Sequence, residues 1–172
     1  RHYLPARPAT VEEMELPRNL AQNVYDCHGN ESCFPHAWAN VETRGESVFA
    51  ARNAIDGVIY PWCHGRYPFE SWGINKREDA CWQLDFGRPV CAETLVLTTR
   101  ADFPHDAWWT SVRLTLSDGT VKRLQLQKTA EGQCFDLQGA IISGLVLDEL
   151  KKAEDPSPFP ALTQVQVFGH EL

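Results

Sequence analysis

Trp82-Gln83-Leu84-Asp85-Phe86-Gly87 is the stretch that decides the fold class. Its apolar residues fall at every second position with Gln83 and Asp85 between them, the period of a strand with one buried face. Trp82 therefore reads as core, and Asp85, just ahead of a glycine, as an acceptor that stabilises a turn. Gly87-Arg88-Pro89 predicts that turn, and the run 95–99 a second strand. Val112, Leu114 and Leu116 alternate with Arg113 and Thr115, and Asp118-Gly119 predicts a tight hairpin into a strand over 121–126. The runs 144–150 and 162–168 add two more strands, separated by a loop holding Pro156, Pro158 and Pro160. Short antiparallel strands with polar outer faces, and no helices alternating with them, predict an all-β sandwich.

Upstream, the pattern changes. A short helix is predicted over 10–16, with Thr10 as N-cap, Glu13 completing a capping box and Pro17 ending it. From there to about residue 80 there is little periodicity and much turn chemistry, carried by Gly29, Gly45, Gly57, Pro61, Gly65, Pro68 and Gly73. A loop region this long in a compact domain is usually functional. The expected organisation is an N-terminal extension over 1–19 that holds the helix, followed by one sandwich domain over 20–172.

Composition narrows the function classes. A chain of 172 residues, 43% apolar and 23% charged, is long enough to build one sizeable core. A net charge of -7 argues against nucleic acid, whose phosphates require a basic face. The longest apolar run, 140–147, contains Ser143 and Gly144 and meets Asp148-Glu149, so no membrane-inserting helix is expected. Of the six cysteines, Cys27 and Cys33 flank a polar loop and could close a short ring. Cys81, Cys91 and Cys134 sit in or beside strand-like runs as small hydrophobes, so most thiols are expected to be free.

Five segments, in this order, resemble the discoidin-like (F5/8 type C) domains and the family 32 carbohydrate-binding modules. Ala50-Ala51-Arg52-Asn53-Ala54-Ile55-Asp56-Gly57 resembles their A-x-N-A-I-D-G turn, and Trp82 to Gly87 their W-x-x-x-D-L-G strand. Arg100 ends a later strand, as their ligand-binding arginine does. The stretch 111–119 resembles the V-x-V-S-x-D-G hairpin, and Gln164-Val165-Gln166-Val167-Phe168-Gly169 the closing strand. The resemblance covers about residues 20–170 and implies a galactose-binding-like jelly roll whose ligands bind in loops at one end. It also implies a non-catalytic lectin-like module that binds a glycan of galactose type, attached to or partnered with an enzyme or surface protein. An extracellular or cell-surface setting is implied in the same way. A protein-interaction module of discoidin type is the alternative, and a glycan-processing enzyme the third reading.

Sugar recognition requires an aromatic face for the ring and charged or amide groups for the hydroxyls, because charge-assisted hydrogen bonds are the strong ones. Two loops hold that mixture, 62–77 and 100–109. Carried over by position, the hydroxyl-gripping residues of galactose-binding modules fall on His64, Arg100 and His105, the last replacing an asparagine. Glu46 stands where an acidic contact sometimes lies, and Tyr67 or Trp72 supplies the stacking ring, with Phe159 in the loop of a second one. Arg100-Ala101-Asp102 matches the centre of the fucose-binding signature, but Asn75 replaces its histidine and Ala107 its basic residue. Asp102 is equally a structural partner for Arg100, while Asp106 and one of Trp108 and Trp109 complete the candidate surface. The resemblance also implies a structural calcium near the turn. Here Asp56 and Gln164 would hold it, because Val58 and Gln164 replace two of the family's carboxylates.

Overall fold

The computed structural model describes residues 6–29, 32–45, 47–60, 66–100 and 107–172. Among these residues eight strands form one antiparallel, folded-over sheet: β1 (Arg18–Asn19), β2 (His36–Ala39), β3 (Trp72–Gly73), β4 (Trp82–Thr99), β5 (Trp109–Leu116), β6 (Val121–Gln125), β7 (Gln133–Lys152) and β8 (Ala161–Glu171). The strand order is β1-β8-β4-β7-β5-β6, with β2 on β4 and β3 on β8. Since each strand buries one face, the sheet closes over a single core to give the all-β sandwich expected from the alternation.

The predicted turn at Gly87-Arg88-Pro89 is instead a bulge. β4 runs on through it, and its pairing with β7 shifts register between Asp85 and Val90. Asp85 Oδ1 accepts the Gly87 N–H at 2.7 Å, so the aspartate is the expected local acceptor. The result bends the strand rather than ending it, as bulges do. The first half of β4 has β2 as its neighbour and the second half has β8. The strand expected over 144–150 is likewise the end of a longer one, β7, whose first half carries no simple alternation because Gln138 and Gly139 have positive φ.

The core takes Trp72, Trp82, Phe86, Leu95, Leu114 and Ile142, all essentially inaccessible. Between residues 40 and 80 backbone ladders are few, and side chains take over. Three 310 turns follow one another, Thr43–Gly45, Ser47–Phe49 and Ala51–Ala54. The Trp82 indole donates to the Ala51 carbonyl at 3.0 Å and the Trp72 indole to the Val41 carbonyl at 2.8 Å. Asn53 also reaches beyond its own 310 turn. Its amide donates to the carbonyls of Ser47, Val48 and Ser71 at 2.9, 3.0 and 3.2 Å, gathering three loop segments.

The N-terminal helix α1 (Val11–Glu15) has the expected Thr10–Glu13 capping box and no buried residue, so local hydrogen bonds hold it. The sheet itself begins at Arg18, inside the stretch assigned to an extension, where β1 pairs with β8. All five cysteines among the described residues, Cys27, Cys33, Cys81, Cys91 and Cys134, are free thiols.

Glu171 closes the far end of β8 by pairing with Arg18 and with Arg88, whose Nε lies 2.6 Å away. The Arg88 guanidinium, aided by Arg18, holds the Glu171 carboxyl down at about 2, well below its ordinary 4.5. A lowered carboxylate pKa contributes stability above the ordinary value and loses it as pH falls through the folded one. Glu171→Gln should therefore destabilise the chain at pH 7 by at most ~1 kcal/mol, given the solvent screening of these partly exposed groups. Denaturant titrations should show the difference from wild type shrinking between pH 4.5 and about 2.

Candidate functional site

At one end of the sandwich four chain segments meet. Gly73 of β3 is in register with Ala161 of β8, and the Arg100 N–H donates to the Ala161 carbonyl at 2.9 Å. The Asn75 N–H donates to Thr43 Oγ1 at 3.0 Å, bringing the first 310 turn to the same place. Together these segments line a pocket of about 360 Å³ whose buried lining holds Phe49, Ile74 and Arg100 and whose exposed rim holds Arg44, Asn75, Lys76 and Phe159.

Local backbone chemistry sets the rim. Arg44, Asn75 and Lys76 all have left-handed φ, at 58°, 48° and 63°, which non-glycine residues adopt at a cost. The turn at Asn75-Lys76 places the Lys76 ammonium 4.9 Å from the centre of the Phe159 ring, while Arg44 stacks 5.8 Å from the centre of Phe49. Phe159 is 41% exposed, so part of its side chain stays accessible beside the Lys76 ammonium. Arg100 is only 5% exposed, yet it lines the pocket. A guanidinium, an ammonium and an amide can together donate to several acceptors, and the aromatic ring offers an apolar platform.

Of the residues singled out from sequence, the structure brings Asn75, Arg100 and Phe159 into this pocket. Trp72 is a correction. It is fully buried beneath the end of the sandwich, its indole bonded to Val41 and its ring 6.5 Å from that of Trp109, so it offers no face to a sugar. Trp109 is also buried, with an indole N–H that finds no partner, and is no ligand contact either. Consecutive residues of a strand point to opposite faces, and Trp109 is the one that takes the core side. Tyr67 is 81% exposed, but it lies in a different pocket of about 260 Å³ beside Asp26, Asp56 and Phe69, not beside Arg100. Glu46, His64, Asp102, His105 and Asp106 lie outside the described residues. Arg44, Phe49 and Lys76 were missed, and the glycine beside Arg44 was the one local signal of its turn.

The expected calcium set does not fit what is present. Asp56 Oδ1 accepts the Val58 N–H at 2.8 Å, and burial, reinforced by the charge of Glu70, pushes the Asp56 carboxyl up to about 6. Gln164 is completely buried with neither amide atom partnered. A cation would satisfy its oxygen and leave two N–H donors facing positive charge, whereas water suits both ends. Among the described residues no three His, Cys, Asp or Glu side chains cluster as metal ligands. Calcium wants several charged oxygens, so one carboxylate and a neutral amide are a poor set.

No protein-family model matches the sequence, and no curated protein matches it either. Solved structures do match in fold. A fucose-binding module of Streptococcus pneumoniae is similar at 13% identity, over 90% of this chain and 96% of its own, with a TM-score of 0.62. A chitosan-binding module from a chitosanase/glucanase of Paenibacillus sp. IK-5 is similar at 16% identity, over 88% and 99%, with a TM-score of 0.59. A family 32 carbohydrate-binding module of Clostridium perfringens, in complex with galactose, is similar at 13% identity, over 77% and 91%, with a TM-score of 0.56. The chain thus has the discoidin-like, galactose-binding-like sandwich fold of these modules.

Gly73 tests how tightly the pocket is built. A Cβ there would stand 2.6 Å from Thr43 Oγ1 and 3.2 Å from the Phe49 Cβ, both pocket-lining residues. Gly73→Ala should cost ~1–3 kcal/mol of stability, the usual range for overpacking, measured by chemical denaturation. Amide shifts in its NMR spectrum should concentrate at residues 43–49 and 73–76.

Proposed function

We propose that this chain is a carbohydrate-binding module that holds a glycan in the pocket of Arg100, Asn75 and Phe159. The observation that carries the proposal is the convergence of a guanidinium, an amide and a partly exposed aromatic ring at one end of a fold shared with sugar-binding modules. Arg100 is the anchor, because its planar fork bonds two adjacent hydroxyls at once. Its backbone tie to Ala161 fixes the strand from which that fork projects. Phe159 takes the apolar face of the ring. The role is binding rather than chemistry, since guanidinium, ammonium and amide groups do not exchange protons readily at neutral pH. The protein-interaction alternative rests on the Trp108-Trp109 end, where Trp109 is buried and Trp108 is half-buried against the core.

Galactose-type sugars remain the leading ligand class. One observation favours a second, acidic class: three cationic side chains, Arg44, Lys76 and Arg100, line the pocket. Salt separates the two. Affinity for a neutral sugar should change little between low and physiological ionic strength, whereas affinity for a uronate or sulfated sugar should fall steeply.

A glycan array read at two salt concentrations tests the reading directly. Arg100→Ala should cost ~1.5–3 kcal/mol of affinity for every positive glycan, the range for a hydrogen bond to a charged group. Phe159→Ala should cost somewhat less. An Arg100→Ala protein that melts like wild type and binds each positive glycan equally well would assign Arg100 to structure alone.

A further inference from the structure

A second groove, of about 670 Å³, crosses the outer face of the sheet and shares no residue with the pocket around Arg100. Its construction follows from strand alternation. Ala37, Leu84, Leu145 and Leu116 turn inward to the core, so their neighbours on β2, β4, β7 and β5 face outward. The registers align these neighbours in two rows. Trp38 is opposite Gln83, Gln83 opposite Val146, and Val146 opposite Thr115. His36 is opposite Asp85 and Asp85 opposite Gly144, and the Ser117 N–H donates to the Gly144 carbonyl at 3.0 Å. Four strands make three spacings, so each row is ~14 Å long.

Gly144 keeps the middle of the groove bare. A Cβ there would stand 2.5 Å from the Leu84 carbonyl oxygen, so no side chain can rise from that position without moving the strand. At the margin stands Trp38, 48% exposed, and next to it Phe34, whose ring lies against Gly87 where a Cβ would collide with it. His36 is held in place: its Nδ1 is 2.7 Å from Asp26, whose second oxygen accepts the Ala37 N–H at 2.9 Å. That leaves Nε2 as the ring atom a ligand can reach.

We propose that this face is a second carbohydrate site, taking an extended, uncharged oligosaccharide laid across the strands. The lining chooses that occupant. Interior strands spend their backbone groups on the sheet, so the polar groups facing outward belong to side chains: an amide, a carboxylate, an imidazole and the hydroxyls of Thr115 and Ser117. This set both donates and accepts, as a polyhydroxylated ligand requires. Among the described residues no lysine or arginine lines the groove, which disfavours an anionic chain, and the indole supplies an apolar platform at one end. A peptide that bound by adding a strand would need an open backbone edge, which the centre of this face lacks.

The site does not depend on the function proposed for the Arg100 pocket. The experiment titrates the intact chain with cellohexaose, xylohexaose and N,N′-linked chitohexaose by calorimetry, beside Trp38→Ala, Gln83→Ala and Arg100→Ala proteins, with melting curves for each. At least one hexasaccharide should bind, and Trp38→Ala should weaken it about tenfold or more. Gln83→Ala, which removes an exposed side chain and leaves the fold alone, should weaken it less, and Trp38→Ala should weaken it by a similar factor in the Arg100→Ala background. Failure of all three hexasaccharides to bind would overturn the proposal. So would binding lost with Arg100→Ala and kept in both groove variants, or a dimer in sedimentation that Trp38→Ala abolishes.

Discussion

The loop layer between residues 40 and 80 depends on a few side-chain N–H groups buried against backbone carbonyls. The indoles of Trp72 and Trp82 and the amide of Asn53 donate to the carbonyls of Val41, Ala51, Ser47, Val48 and Ser71. An irregular segment packed on a sheet has carbonyls that no ladder satisfies, and each one buried alone costs ~1–3 kcal/mol. Two large apolar rings that carry one donor apiece solve both problems: the ring fills core volume and the N–H satisfies the layer above it. The pocket around Arg100 inherits its shape from this arrangement. Thr43, Arg44 and Phe49 reach it from the turns on either side of these bonded carbonyls, and Gly73 follows Trp72 directly.

That arrangement also explains what was legible in the sequence. The strands after residue 80 were readable because their period is imposed by one buried face, and Trp82 declared itself as core by sitting in phase with Leu84 and Phe86. The two-residue strand β3 has no period to read, and without phase a tryptophan in a polar loop is as good a sugar platform as a core ring. Trp72 was therefore misplaced for a physical reason. Four-residue β2 escaped for the same reason, although His36-Ala37-Trp38-Ala39 contributes two outward side chains to the sheet-face groove. The bulge in β4 was read as a turn because glycine and proline mark both, and only the partner strands on either side distinguish them.

The site was half legible. Arg100 could be found because it follows a clear strand, and Phe159 because it falls in the proline loop before another. Their meeting with Asn75 could not, since it requires β3 to pair with β8 across most of the chain. Arg44 and Lys76 were invisible for a different reason: both owe their place to left-handed backbone, which non-glycine residues adopt only where the surroundings force it.

Charge distribution separates the end pocket from the sheet-face groove more sharply than composition does. The chain carries -7 overall, yet the end pocket is lined by Arg44, Lys76 and Arg100, and the sheet-face groove by Asp85 and hydroxyls. Net charge governs solubility and long-range association, whereas a ligand within a recess responds to the groups lining it. Within the pocket the cations are spaced by apolar surface from Phe49, Ile74 and Phe159, which lowers the local dielectric and strengthens each contact they make. On the open sheet face water competes for every hydroxyl, so selectivity there has to come from the fit of an extended chain between the two rows. On the two proposals made above, the end pocket would hold a sugar unit through charge-assisted contacts and the face would hold an extended chain through many weaker ones.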